Sequence, residues 1–257
     1  FGFVEGSAFH HSFPSFDLQT LTELHGGKEN FLRELWRVFT IPASFEVGSY
    51  KQVIHEMREF QILGMGQYAH SNQPVHHLPY LFAMLGDQNT TALLVRQILA
   101  RAYSPTGFSG DEDNGEMGAW YVLSALGLFA AAVGTTEDYV LGAVPLFPRV
   151  RLVDLGVVIE APAAMLDFPT ISEVMWRSEI VVGSLPYSCM LKGGVLRFMS
   201  PEVDVVRNAG VAHLRGQVVI RDTRPRSYVL SWLPLGLSCV ALGACSFRRG
   251  QAGSHDD

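Results

Sequence analysis

Apolar residues recur at helical spacing along roughly the first 130 positions, and from about Tyr139 the period shortens to that of strands. Asp17 reads as an N-cap for LQTLTELHGG, which the double glycine ends. KENFLRELWRVF sets Phe31, Leu35 and Val38 on one face and its charges on the other. PVHHLPYLFAML and TTALLVRQILARAY form a second helical pair around the turn GDQN. NGEMGAWYVLSALGLF places Met117, Trp120, Tyr121, Ser124 and Leu128 on one face, and its other face is nearly as apolar. A helix apolar all round belongs inside a larger domain. The later runs YVLGAV, RVRLV, VVIEA, EIVVG and VLRFMS are strand-sized and set off by Gly, Pro and Asp. Helices first and strands later predict a mainly α region followed by an antiparallel β-sandwich-like region.

The end of the chain departs from both patterns. Tyr228–Phe247 carries no charge and is followed by Arg248 and Arg249. By length it could span a bilayer. Pro234 and the interspersed glycines and serines weigh against membrane association, leaving a buried strand pair or a tail foreign to the fold as the favoured readings.

Composition narrows the function. The chain of 257 residues is 48% hydrophobic and 17% charged, so it can bury a core. Its net charge of -6, with no basic stripe carrying interleaved aromatics, argues against a broad nucleic-acid surface. Cys189, Cys239 and Cys245 are too scattered for a disulfide framework or a zinc knuckle. The N-terminus has no Met, basic segment or cleavage signature, so the chain reads as a piece of something longer.

Three polar knots interrupt the apolar pattern. In GFSGDEDNGEMGAWY, Asp111, Glu112, Asp113 and Glu116 crowd the mouth of the buried helix. Capping would use one or two of them. Glycines at 107, 110 and 115 bracket the acids and allow Asp111 and Asp113 to face one way while Glu112 faces the other. Paired carboxylates suit a hard cation or a base that activates water. In YAHSNQPVHHLPYLF, His70, Asn72, Gln73, His76 and His77 open an apolar helix. Asn and Gln oxygens can coordinate calcium or bond sugar hydroxyls, whereas adjacent His76 and His77 point apart and lack zinc spacing. In FVEGSAFHHSFPSFD, Glu5 stands among apolar neighbours that would raise its pKa, as suits a general acid. Each knot also has a plainer reading: a cap, core histidines bonded to backbone, and a surface Glu.

Taken together and in this order, the knots resemble glycoside hydrolase family 92, the calcium-dependent, exo-acting, inverting α-mannosidases. GDEDNGEMGAWYVLSALGLF is similar to that family's G-[ND]-[DE]-D-x-G-x-M-S-A-W-Y run, YAHSNQPVHHLPYLF to its Y-x-H-G-N-[EQ]-P-x-x-H segment, and VEGSAFHHSFP to its V-E-G-[NS]-A-[WF] segment. The resemblance covers about residues 1–203. It implies a C-terminal part of an (α/α)6 catalytic barrel over residues 1–135 and a β-rich region over 136–203. The apolar tail over 204–257 matches nothing recognised. It further implies that an N-terminal β-sandwich and the rest of the barrel lie outside this sequence, and that the protein is secreted, periplasmic or at the cell surface. By residue, it implies Glu5 as general acid and Asp113 with Asp111 as general base. Asn72, Gln73 and Asp113 hold Ca2+, and His70, His76, His77 and Trp120 line or support the pocket. The implied substrate is a mannose-terminated glycan, with α-1,2 linkage preferred. The sequence departs from the family pattern at Ser71 (usually Gly), Gly118 (usually Ser) and Asn89 (usually aromatic). The rival reading is a non-catalytic, calcium-dependent mannoside-binding protein, but such a protein has no need of the acids Glu5, Asp111 and Asp113.

Overall fold

The computed structural model describes residues 13–112, 114–130, 137–165, 170–201 and 218–220. Glu5, Asp113 and Tyr228–Phe247 lie outside them. Among the described residues the longer helices come first, broken only by a small hairpin before the last of them. Helix α1 (Leu18–Leu24) is capped by Asp17, whose Oδ1 accepts from the Thr20 N–H at 3.1 Å. Helix α2 (Lys28–Thr40) buries Phe31, Leu35, Val38 and Phe39, the face its spacing predicts. Helix α3 (His55–Leu63) has no counterpart in the sequence reading and ends at left-handed Gly64. Helices α4 (Leu78–Met84) and α5 (Gln88–Arg101) form the expected pair, and Asp87 caps α5.

Thr91 of α5 is wholly buried. Its hydroxyl accepts from the Ala83 N–H (2.9 Å) and donates to the Pro79 carbonyl (2.7 Å), which locks α5 to α4. The hairpin of β1 (Tyr103–Ser104) and β2 (Gly107–Phe108) then leads to α6 (Glu116–Ala125). Met117, Trp120 and Ser124 are buried along α6 as its pattern requires. Leu128, expected on the same helical face, lies instead in strand β3 (Leu128–Phe129), because the helix ends at Ala125 and Gly127 turns the chain at φ +78°.

The strands follow as β4 (Asp138–Leu141), β5 (Arg149–Leu152), β6 (Val157–Glu160), β7 (Glu173–Trp176), β8 (Glu179–Ile180), β9 (Ser184–Pro186), β10 (Gly194–Met199) and β11 (Val218–Ile220). A short helix, α7 (Tyr187–Met190), follows β9. Besides the β1–β2 hairpin, one sheet has the order β11-β5-β6-β10-β7-β8 and another β3-β4-β9. Burial alternates along β6, β7 and β10, so one face of the larger sheet is its core face. The expectation of a purely antiparallel region is corrected: β6 pairs with β10, and β5 with β11, in parallel. The chain leaves β6, makes the β7–β8 hairpin, β9 and α7, and returns to insert β10 between β6 and β7. A return that long permits parallel pairing, which a tight hairpin cannot.

The helical and sheet cores meet. Leu126 and Leu128 pack in the same cluster as Leu141, Val150, Ile159 and Phe198. Gly142 lies where a Cβ would sit 2.4 Å from the Ala83 Cβ, so only glycine lets the β4 end approach α4 this closely. Asn89, where an aromatic was expected, accepts from the Ile171 N–H at 2.8 Å and so ties the start of α5 to the strand region. Among the described residues no helix is long and apolar enough to cross a membrane.

Candidate active site

The acidic turn is shaped by backbone before chemistry. Asn114 and Gly115 are both left-handed (φ +61° and +97°), and they bend the chain into α6. Gly115 is the N-cap and has no side chain to offer the helix. Glu112 supplies the missing acceptor: its Oε1 takes the Gly118 N–H at 2.9 Å. A Cβ on residue 118 would stand 2.9 Å from that same oxygen, so glycine there leaves the carboxylate room. Glu112 is therefore turned to the helix while Asp111 is exposed; whether Asp113 faces with Asp111 lies outside the described residues. The other Glu112 oxygen is buried with no hydrogen-bond partner among the described residues.

The turn packs on the second knot. Gly110 is left-handed (φ +81°), and a Cβ there would lie 2.6 Å from the Ser71 Cβ and 3.2 Å from Glu59 Oε2. Ser71, where the family pattern has Gly, thus abuts a glycine that makes space for it. Asn72 and Gln73 follow directly, both half-buried, with Asn72 capping the single turn Gln73–Val75. Glu116, in the first turn of α6, reaches His76 Nδ1 at 3.3 Å.

The histidines face inward. His70 is wholly buried: Nδ1 lies 2.8 Å from the Tyr68 hydroxyl and Nε2 2.8 Å from the Tyr103 hydroxyl. Burial first, and then the His76 charge, lower its pKa well below the usual imidazole value, so His70 is neutral. His76 Nε2 donates to the His70 carbonyl (2.9 Å), and its Nδ1 lies toward Glu116. His77 Nε2 donates to the Phe13 carbonyl (2.6 Å); burial lowers its pKa and outweighs the opposing effect of that bond. Trp120 is also buried; its Nε1 donates to the His76 carbonyl (3.1 Å), and its ring stands edge-on to His70 at 4.4 Å. Of the residues assigned to line or support a pocket, His70, His76 and Trp120 are buried.

This inward arrangement bears on metal. The nitrogens of His70 and His76 are engaged, and among the described residues no three His, Cys, Asp or Glu side chains converge on one point. The donors that the loop and turn carry are oxygens, in the side chains of Asn72, Gln73, Asp111 and Ser71, and the Ser71 hydroxyl is buried without a partner among the described residues. An oxygen set fits calcium and does not fit zinc. Tyr103 escaped the sequence reading, as did the pairing of Glu116 with His76, since these partners meet only through the fold.

The Glycosyl hydrolase family 92 catalytic domain profile matches residues 1–200. The chain belongs to glycoside hydrolase family 92. Solved structures agree. A family GH92 inverting mannosidase of Bacteroides thetaiotaomicron aligns at 33% identity and TM-score 0.59, over 76% of this chain and 27% of its own length. A family GH92 alpha-mannosidase of the same organism aligns at 25% identity and TM-score 0.53, over 68% of this chain and 22% of its own. That enzyme in complex with mannoimidazole aligns with a TM-score of 0.55. The family 92 chain described here thus spans about a quarter of the length of the solved structures it matches. A comparison with curated proteins found no match.

Proposed function

We propose that this family 92 chain carries the acid, base and calcium-binding segments of an exo-acting α-mannosidase. On this reading it removes terminal mannose from glycans with inversion. The observation that carries the proposal is the seating of the acidic turn on the amide-bearing loop, through Gly110 on Ser71 and Glu116 on His76. The turn carries the carboxylates and the loop the amide oxygens that this reading calls on. The named relatives, an inverting mannosidase and an alpha-mannosidase bound to mannoimidazole, support the substrate class.

Glu5 protonates the departing glycosidic oxygen, and Asp113, with Asp111 as its partner, takes a proton from the attacking water. Single displacement needs the two carboxyl groups about 6.5–9.5 Å apart so that water fits between them and the anomeric carbon. Asn72, Gln73 and Asp113 would hold calcium, which when bound offers the sugar's O2 and O3 a hard positive charge. Glu112 holds the first turn of α6 in place, and the buried histidines and Trp120 keep the amide loop against it. An α-1,2 linkage and a secreted, periplasmic or cell-surface location complete the proposal.

The test is mannose release from α-1,2-linked mannobiose, with calcium and then with excess chelator, in the wild type, Asp113→Asn and Glu5→Gln. Calcium-dependent release that is lost in both variants supports the proposal. A folded chain that binds mannosides in calcium but releases nothing points to the non-catalytic binding protein.

A further inference from the structure

We infer that Tyr103 is a positioning residue: its hydroxyl fixes His70 as the Nε2–H tautomer and ties the histidine loop to the first turn of α6, holding the acidic turn in register. The inference rests on the functional reading above for its bearing on turnover, and on geometry alone for the tautomer.

The Tyr103 hydroxyl lies 3.0 Å from the Met117 carbonyl and 2.8 Å from His70 Nε2. A carbonyl can only accept, so the single tyrosine proton goes to Met117. The His70 Nε2 then carries its own proton and donates to the Tyr103 oxygen. Nδ1, left unprotonated, accepts from the Tyr68 hydroxyl at 2.8 Å. The chain therefore runs one way, from Tyr68 through His70 and Tyr103 to Met117.

Tyr103 alone in this chain of bonds touches both the loop and the helix. Met117 stands one residue beyond Glu116 and one before Gly118, whose N–H holds Glu112. The Tyr103 ring lies parallel to Trp120 (6.1 Å between centroids, 3° between planes), which prevents the hydroxyl from swinging away. Burial, and then the nearby Glu112, raise the phenol pKa, so the hydroxyl keeps its proton. The hairpin pairing of Tyr103 with Phe108 places this bond at the base of the acidic turn.

The test reads the histidine nitrogens by long-range ¹⁵N NMR and the exchange rates of the 109–118 amides, alongside kcat and KM for mannose release. The wild type should display His70 with Nε2 protonated and Nδ1 bare. Tyr103→Phe removes the acceptor and should give a mixed tautomer and faster exchange across the turn. It should also lower kcat on the order of ten- to a hundredfold with KM unchanged, since displacement of catalytic groups by about 1 Å costs that much. Phe108→Leu alters packing against the Tyr103 ring (6.4 Å) but keeps the hydroxyl, and should leave the tautomer pure. A wild-type His70 protonated on Nδ1 overturns the inference, and that spectrum decides the matter even if Tyr103→Phe fails to fold. A pure Nε2–H tautomer or an unchanged kcat in Tyr103→Phe also overturns it. A wild type that releases no mannose defeats the functional reading instead, and the tautomer and exchange data then judge this inference by themselves.

Discussion

Glu112 sits between the two acids assigned to water activation, yet its geometry is that of a helix cap. Two substitutions separate the roles. Glu112→Ala removes the acceptor for the Gly118 N–H and the negative charge at the α6 N-terminus. Loss of a capping side chain costs about 0.5–2 kcal/mol, and loss of a charge at the helix end about 0.3–1 kcal/mol. For a chain of this size each kcal/mol moves Tm by about 2–4 °C, so Glu112→Ala should melt several degrees lower. Glu112→Gln keeps an oxygen where Oε1 lies and loses only the charge, so its Tm should fall by no more than about 4 °C. Mannose release should persist in Glu112→Gln and vanish in Asp111→Asn and Asp113→Asn at matched folding. The assay pairs thermal unfolding by circular dichroism with mannose release at saturating calcium. A Glu112→Gln protein that melts like the wild type but releases nothing would refute the capping argument and move Glu112 into the chemistry.

Thr91→Val should lower Tm by several degrees, since it leaves the Ala83 N–H or the Pro79 carbonyl short of a partner inside the core at about 1–3 kcal/mol; Thr91→Ser, which restores both bonds, should recover most of that loss. Gly110→Ala adds a left-handed penalty of about 1–2 kcal/mol and drives a methyl into the Ser71 side chain, so stability and mannose release should fall together. His70 and His77 have pKa values held below the unfolded imidazole value of about 6.5. Their contribution is therefore complete above that pH and declines as acid is added, because the unfolded chain then binds more protons than the native one. Tm measured from pH 7.5 down to 5 should drop, and less steeply in His77→Gln.

Local signals carried much of the outline. Asp17 predicts the start of α1, and the Phe31–Leu35–Val38 spacing predicts the buried face of α2; both follow from contacts within one helical turn. The motif residues around Asp111 and Asn72 were legible as polar atoms set against an apolar background. The direction of the histidines was not. His70 reads in sequence as a residue that lines or supports the pocket or as a core histidine; it is wholly buried, and its distant partner Tyr103 is brought to it only by packing. Leu128 fits the helical period of α6, but Gly127 breaks the helix first. The parallel pairing of β10 was likewise invisible, since a strand's own residues do not record which neighbour it will meet.

That pairing has a kinetic side. Helices α4 and α5 and the β1–β2 hairpin join near neighbours, so they can form while the rest of the chain is still open. Val157 has to wait for Gly194, and Val150 for Val218. Contacts that close such long loops come late and slowly, and until they form β6 exposes an unpaired apolar edge. The larger sheet is then the rate-limiting part of folding and the place where aggregation would begin. A refolding yield that falls as protein concentration rises, with far-UV helical signal already recovered, is the behaviour this order of events dictates.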